Sequence, residues 1–208
     1  RAWAALVAMI APNEMADIIQ SMVLAGQQGG ELPKWSQANQ EHFIMVGDPG
    51  PIIVSSAYAF GVRNFDTATA LALMNKSGSM VGATMQGAPI RGGLDTYLNL
   101  HYVPTNGAWT PEYAVSDFAI AQFAKTLGDT AKSNYFMSHA QWWINAFNLE
   151  SSYFHPRHSD GTWPWPLDPA SPSGFTEGNA AQYSWMVPHN YASLINLMGG
   201  HPTAIQRL

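Results

Sequence analysis

Apolar residues recur along this chain at helical spacing, and no stretch sustains the alternation of a half-buried strand. Met15, Ile18, Ile19, Met22 and Val23 fall at i, i+3, i+4, i+7 and i+8, the stripe that packs one face of a helix. Asn13 is placed to cap that helix and Gly29-Gly30 to end it. A loop punctuated by Pro and Gly follows over residues 32–51. The next helix is expected over about residues 52–60, closed by Gly61, and Asp66 caps another through Met74. Residues 76–109 read as loop, because Gly78, Gly82, Gly87, Pro89, Gly92-Gly93, Pro104 and Gly107 interrupt every pattern. A loop that long is usually functional.

The clearest helix start comes next. Thr110 is expected as the cap, Pro111 as the first helical residue and Glu112 in the first turn, with Gly128 as the stop. Asp129 caps a further helix expected to reach Phe147. Residues 151–179 form a second long loop. A short helix from Ala180 is broken by Pro188, Asn190 caps another that ends at Gly199-Gly200, and Pro202 opens one more. Phe43 to Val46 is the one candidate for a short strand. Paired helices joined by alternately short and long connections suit an all-α toroid whose long loops build a site at one end.

Composition narrows the functions. Apolar residues make up 47% of the 208, while charged residues make up only 11%, which excludes a disordered chain. Nine Lys and Arg are spread without a cluster and the net charge is −5, so the positive footprint of a nucleic-acid binder is missing. The chain has no Cys, which rules out a disulfide framework and a thiolate metal site. No stretch approaches the ~20 apolar residues of a membrane-spanning helix. The opening Arg1-Ala2-Trp3 and the stop at Leu208, soon after Pro202 begins a helix, lead us to expect a piece of a larger chain.

Three groups of residues could carry chemistry. Glu112 either partners the positive end of its helix or, set among Tyr102, Trp109 and Tyr113 after a long loop, acts as a general acid. Aromatic surroundings raise a carboxyl pKa and the helix end lowers it, so the sequence leaves the sign open. The run Gly174-Phe175-Thr176-Glu177-Gly178-Asn179-Ala180-Ala181-Gln182-Tyr183 is either a capping cluster or a source of the carboxylate and amide oxygens that a hard cation takes. Trp35, Trp109, Trp163 and Trp165 lie in loops, where they could stack on sugar rings or simply pack. His155, His158, His189 and His201 show no zinc spacing. No nucleophile elbow, phosphate loop or dinucleotide fingerprint occurs.

Taken in order, the chain's short blocks resemble a known family. They are Leu32-Pro33-Lys34-Trp35, Met45-Val46-Gly47-Asp48-Pro49, Ala57-Tyr58-Ala59-Phe60-Gly61 with Asn64-Phe65-Asp66, and Arg91-Gly92-Gly93-Leu94-Asp95-Thr96-Tyr97 with Tyr102-Val103-Pro104. Thr110-Pro111-Glu112-Tyr113-Ala114 with Ser116-Asp117 follows, then Pro156-Arg157 with Ser159-Asp160-Gly161-Thr162-Trp163 and Asp168-Pro169, Phe175 to Tyr183, Trp185-Met186-Val187-Pro188-His189 and Met198-Gly199-Gly200. Across essentially all 208 residues this is similar to glycoside hydrolase family 92, the calcium-dependent exo-α-mannosidases.

The resemblance implies a β-sandwich followed by an (α/α)6 barrel. Residues 1–208 would then be one partial catalytic domain, all-α, lacking the sandwich and the C-terminal part of the barrel. It implies removal of terminal α-linked mannose from mannose-containing glycans, with inversion and with Ca2+. Glu112 stands where the family has its catalytic acid. Glu177 and Asn190 map to the calcium neighbourhood, and Asp48, Arg91, Asn179 and Gln182 map to the sugar pocket.

Some of the family's pattern is missing from this chain. The Gly-Asn-Asp-Asp block that carries the family's base does not occur, so the base and the remaining parts of the enzyme would be partners outside the chain, and the chain alone would be inactive. A further sugar-holding segment would end at Arg1. The His-Glu pair of α-1,2-selective members is absent from Ala170-Ser171-Pro172-Ser173-Gly174, which favours α-1,3 or other links. The family also implies a secreted or periplasmic location. Other readings stay open: a non-catalytic glycan-binding helical barrel, an (α/α)6 glycosidase for another sugar, or a structural fragment of another helical toroid.

Overall fold

The computed structural model describes residues 2–208, so Arg1, where the expected sugar-holding segment would end, lies outside the described residues. The elements run α1 (Ala2–Ile10), α2 (Pro12–Gly29), β1 (Ser36–Gln37), β2 (Gln40–Glu41), α3 (Pro49–Ala59), α4 (Thr67–Ser79), α5 (Leu94–Leu100), α6 (Trp109–Thr126) and α7 (Thr130–His139). A 3-10 helix (Trp142–Ala146), β3 (Phe147–Asn148), β4 (Tyr153–Phe154), α8 (Ala180–Tyr183), α9 (Tyr191–Leu197) and α10 (His201–Gln206) complete the chain. The strands form two antiparallel hairpins, β1 with β2 and β3 with β4. The fold is all-α, as expected for part of an (α/α)6 barrel.

The chain divides into two compact units, Arg1–Leu94 with Ser116–Ser138, and Asp95–Val115 with His139–Leu208. In the first unit, Met15, Ile19 and Val23 of α2 are fully buried. Each such side chain contributes about 1.5–3 kcal/mol. They join Val54 and Ala57 of α3, Leu71 and Met74 of α4, and Ile120 and Phe123 of α6 in one core. Gly78 is small of necessity, since a Cβ there would lie 2.6 Å from the Phe136 ring. In the second unit, Ala114, Trp143, Phe147, Phe154, Val187, Leu194 and Met198 form a separate core, with Phe147 and Phe154 edge to face at 5.7 Å.

Several boundaries differ from the sequence-based expectation, each for a physical reason. α2 starts at Pro12, whose fixed φ suits the first helical turn, and its cap is Ala11 rather than Asn13. α3 starts at Pro49 for the same reason, three residues early. Asp66 caps α4 as expected, accepting from Thr69 N at 2.9 Å, but that helix continues to Ser79. α6 starts at Trp109, so Thr110 lies inside it. Instead of capping, Thr110 Oγ1 accepts from Val103 N at 2.9 Å. Glu112 keeps its first-turn place.

The expected 76–109 loop contains α5, and the helix expected to reach Phe147 ends at His139. Phe43 has φ +55, which bars an extended strand there. The nearby hairpin instead turns at Ala38 (φ 52) and Asn39 (φ 62), the two successive positive values of a tight hairpin turn.

Candidate active site

Within the second unit, the segment leading into α6 is strapped to two loops. Gly107 N donates to Gly174 O at 2.8 Å, and a Cβ on Gly107 would sit 2.5 Å from the Phe175 ring, so the approach demands glycine. Thr176 Oγ1 accepts from Asn106 Nδ2 and from Trp109 Nε1, both at 3.1 Å. Trp109 lies one helical turn before Glu112, and Thr176 adjoins Glu177. The two regions singled out in the sequence are therefore neighbours. Glu112 is 6% exposed, and Tyr113 behind it meets Tyr97 edge to face at 5.4 Å.

The 174–183 turn has its own order. Glu177 has φ +54, unusual for a residue with a Cβ. Its exposed carboxylate makes no hydrogen bond or ion pair with the described residues. A Cβ on Gly178 would meet the Tyr183 ring at 2.9 Å and Gln182 Oε1 at 3.1 Å, so a bare backbone lets these groups close on Glu177's neighbour. Asn179 caps α8, its Oδ1 accepting from Gln182 N at 3.0 Å while Nδ2 donates to Ala170 O at 3.3 Å. Asn190 caps α9, accepting from Ser193 N at 3.4 Å and donating to Gln141 Oε1 at 2.8 Å.

Calcium needs six to eight oxygens, from carboxylates, amides, carbonyls and water. Glu177 and the free Gln182 amide fit that chemistry in kind, and each capping Asn oxygen keeps a second lone pair. Among the described residues, no three His, Asp or Glu side chains gather as a metal centre, so the remaining oxygens have to come from amides, backbone, solvent or ligand.

A cavity of about 370 Å³ opens in the same unit, lined among others by Thr105, His155, His158, Asp168, Ser171 and Ser173. That is small-ligand size. Glu112 is not in its lining. His155 stacks on Trp163 at 5.5 Å, and burial holds its imidazole below the ordinary value, so it is neutral at pH 7.

Asp48 and Arg91 belong to the first unit and are joined there. Arg91 Nε donates to Asp48 Oδ2 at 2.9 Å and Nη1 to Asp117 Oδ1 at 2.7 Å, with all three side chains no more than 1% exposed. Ser77 Oγ donates to Asp48 Oδ2, and Ser116 Oγ to Asp48 O, both at 2.8 Å. Asp117 stands out in the sequence only as part of the Glu112 block, with no role of its own. Its signal was the place after Ser116 in the block that holds Glu112, but nothing local links it to Arg91. Thr176 was likewise hidden inside its block.

Residues 1–208 match the model of the glycosyl hydrolase family 92 catalytic domain. The chain belongs to glycosyl hydrolase family 92. Among solved members of this glycosidase family, it is similar to an inverting mannosidase from Bacteroides thetaiotaomicron, with 28% identity, a TM-score of 0.91 and coverage of 98% of this chain and 28% of that one. A family 92 α-mannosidase from the same organism shares 27% identity, with a TM-score of 0.88 and coverage of 98% of this chain and 27% of that one. That enzyme is also solved in complex with mannoimidazole. An uncharacterized secreted glycosidase from Arthroderma benhamiae is 24% identical over 220 residues, covering 86% of this chain and 28% of the relative. The family 92 chain thus spans 27–28% of the length of these relatives. No described helix is long and apolar enough to cross a membrane.

Proposed function

We propose that this chain is the acid-bearing part of an exo-α-mannosidase that removes terminal α-linked mannose from glycans with inversion, assisted by calcium. Family membership supports the class of reaction. The mannosidases with solved structures, one of them inverting and one bound to mannoimidazole, support the sugar. The observation that carries the reading is the pair of bonds to Thr176, which sets the first turn of α6 against the segment holding Glu177.

Glu112 is the general acid. As the glycosidic bond breaks, its carboxyl proton passes to the departing oxygen, and the bonding electrons stay with that oxygen. Water adds to the anomeric carbon from the opposite face and gives its proton to a base carboxylate. Inversion needs the two carboxyl groups ~6.5–9.5 Å apart to leave room for that water. The base lies in a part of the enzyme outside this chain, so the chain alone is inactive.

Glu177, with Asn190, would hold the calcium, which would supply a positive charge for sugar hydroxyls. Asn179 and Gln182 flank Glu177 on the same turn and offer amides to the sugar. Asp48 and Arg91 are committed to each other and to Asp117 within the first unit, and their proposed place in the sugar pocket rests on the family resemblance. The protein is placed outside the cytoplasm, secreted or periplasmic, a reading supported by its likeness to the secreted Arthroderma glycosidase.

The test is proton NMR of the first free mannose released from methyl 3-O-α-mannosyl-α-mannoside, whose blocked reducing end contributes no free mannose of its own, by the full-length enzyme. The β-anomer of mannose is expected first, and chelation of calcium should abolish its release. Initial α-mannose, or undiminished release in excess chelator, would contradict the reading.

A further inference from the structure

Arg157 gathers contacts that neither the acid nor the calcium site explains. Its guanidinium lies over two rings, 4.8 Å from the Tyr102 centroid and 4.9 Å from that of Trp163. Nε donates to Gly161 O at 3.1 Å and Nη1 to Asn145 O at 3.0 Å. Its own carbonyl accepts from Thr105 N at 2.7 Å. Next door, Tyr102 Oη donates to His158 O at 2.7 Å. Residues 102–105 are thereby pinned at both ends to the 157–158 backbone.

That pinned segment leads straight to Glu112. Val103 N donates to Thr110 Oγ1 at 2.9 Å, and Ala108 N to Asn106 Oδ1 at 2.9 Å. Glu112 N then donates to Ala108 O. The segment is also held against its own preference. His101 and Thr105 both have φ +64, a conformation costly for a β-branched Thr, which persists only where the surroundings enforce it. At Thr105 the enforcing bond is the one to the Arg157 carbonyl.

We propose that the Arg157 side chain is a positioning residue for the general acid: stacked on Tyr102 and bonded to Gly161 O and Asn145 O, it holds in place the 157–158 backbone that takes Thr105 N and Tyr102 Oη, and so fixes the entry of α6 and the place of the Glu112 carboxyl. This rests on the reading of Glu112 given above. A planar fork that stacks on two rings while donating in two directions is a task for Arg. Lys, a single compact ammonium, cannot do it.

The test separates misplacement of the acid from a general weakening of the loops. The full-length enzyme and its Arg157→Ala, Arg157→Lys and Glu112→Gln variants are assayed on two substrates. Methyl α-mannoside needs protonation of its leaving group. 2,4-Dinitrophenyl α-mannoside has a leaving group that departs as a stable anion. Misplacing a catalytic group by about 1 Å costs roughly 100-fold. Both Arg157 variants should therefore lose about 10–100-fold in kcat on the methyl glycoside, and under about 3-fold on the dinitrophenyl glycoside, with KM moved by less than about 3-fold.

Trp163→Leu removes one of the two rings under the guanidinium. It should show the same substrate dependence to a smaller degree, and it keeps the test decisive if Arg157→Ala does not fold. Equal losses on both substrates, or full activity in Arg157→Lys, would overturn the proposal. If Glu112→Gln shows the substrate dependence and the Arg157 and Trp163 variants do not, only this inference falls. If Glu112→Gln itself lacks it, the acid assignment fails and this inference with it.

Discussion

Trp109 Nε1 donates to Thr176 Oγ1 across 3.1 Å, and this bond joins the turn of α6 that carries Glu112 to the segment that carries Glu177. Asn106 Nδ2 donates to the same hydroxyl. One oxygen therefore receives both donors, and the proposed acid and the proposed calcium ligand share a common anchor. Thr176→Val keeps the side chain's shape and removes that oxygen. It should cost about 0.5–1.5 kcal/mol, the net worth of a typical hydrogen bond, because both donors are half-buried, read as a fall in thermal midpoint of the full-length enzyme. It should also lower kcat. Unchanged stability and kcat would show that the anchor is not needed.

Arg91 sits between two buried carboxylates, Asp48 and Asp117, with no member of the trio more than 1% exposed. Removing one partner of a buried pair costs about 3–5 kcal/mol, because the remaining charge is stranded. Arg91→Met strands two carboxylates and should reach at least that range, with a large drop in thermal midpoint and in soluble yield. Asp117→Asn keeps an acceptor for Nη1 and should cost clearly less. Equal effects of the two substitutions would contradict this account of the network.

Glu31 is 1% exposed, and burial raises its pKa above the ordinary 4.5, against a lowering by the hydrogen bond from Ile90 N. A carboxyl whose folded pKa is raised stabilises the fold fully below its unfolded value, and that stability is lost as pH rises through the folded value. Glu31→Gln keeps the acceptor for Ile90 N and cannot ionise. Its thermal midpoint relative to the unaltered enzyme should therefore rise between pH 4 and pH 7. A difference that stays flat or falls over that range would contradict the sign of the shift.

Glu177 offers an exposed carboxylate from a backbone at φ +54. If it holds calcium, Glu177→Gln should raise the free calcium needed for half-maximal activity by about tenfold or more, since charge count sets affinity at such sites. An activity–calcium titration in buffered calcium reads this directly. An unchanged midpoint would remove Glu177 from the metal site.

Much of the helical plan was legible because period and punctuation agree. The stripe from Met15 to Val23 is buried as the spacing demands, and Asp66, Asn190 and Gly128 act where their chemistry places them. The misses have physical causes of more than one kind. Thr110 looked like a cap, but its hydroxyl takes Val103 N from the preceding loop. The hairpin of Phe147 with Phe154 was hidden because its two strands have two residues each, and ring packing within the second core supports them. α5 is seven residues long between Gly93 and Pro104, too short for its period to show. At the site, Glu112 and the 174–183 run stood out as a carboxylate and amides beside helix starts. The roles of Asp117, Thr176 and Arg157 did not, because they lie in contacts 12 to 70 positions away along the chain.

The central claim is that Glu112 protonates the leaving oxygen. The most direct measurement is kcat/KM of full-length Glu112→Gln on methyl α-mannoside. General acid catalysis contributes roughly 100- to 10,000-fold, so a loss within that range is predicted, with folding and calcium binding intact. A loss well under about 100-fold on this unactivated substrate would contradict the account.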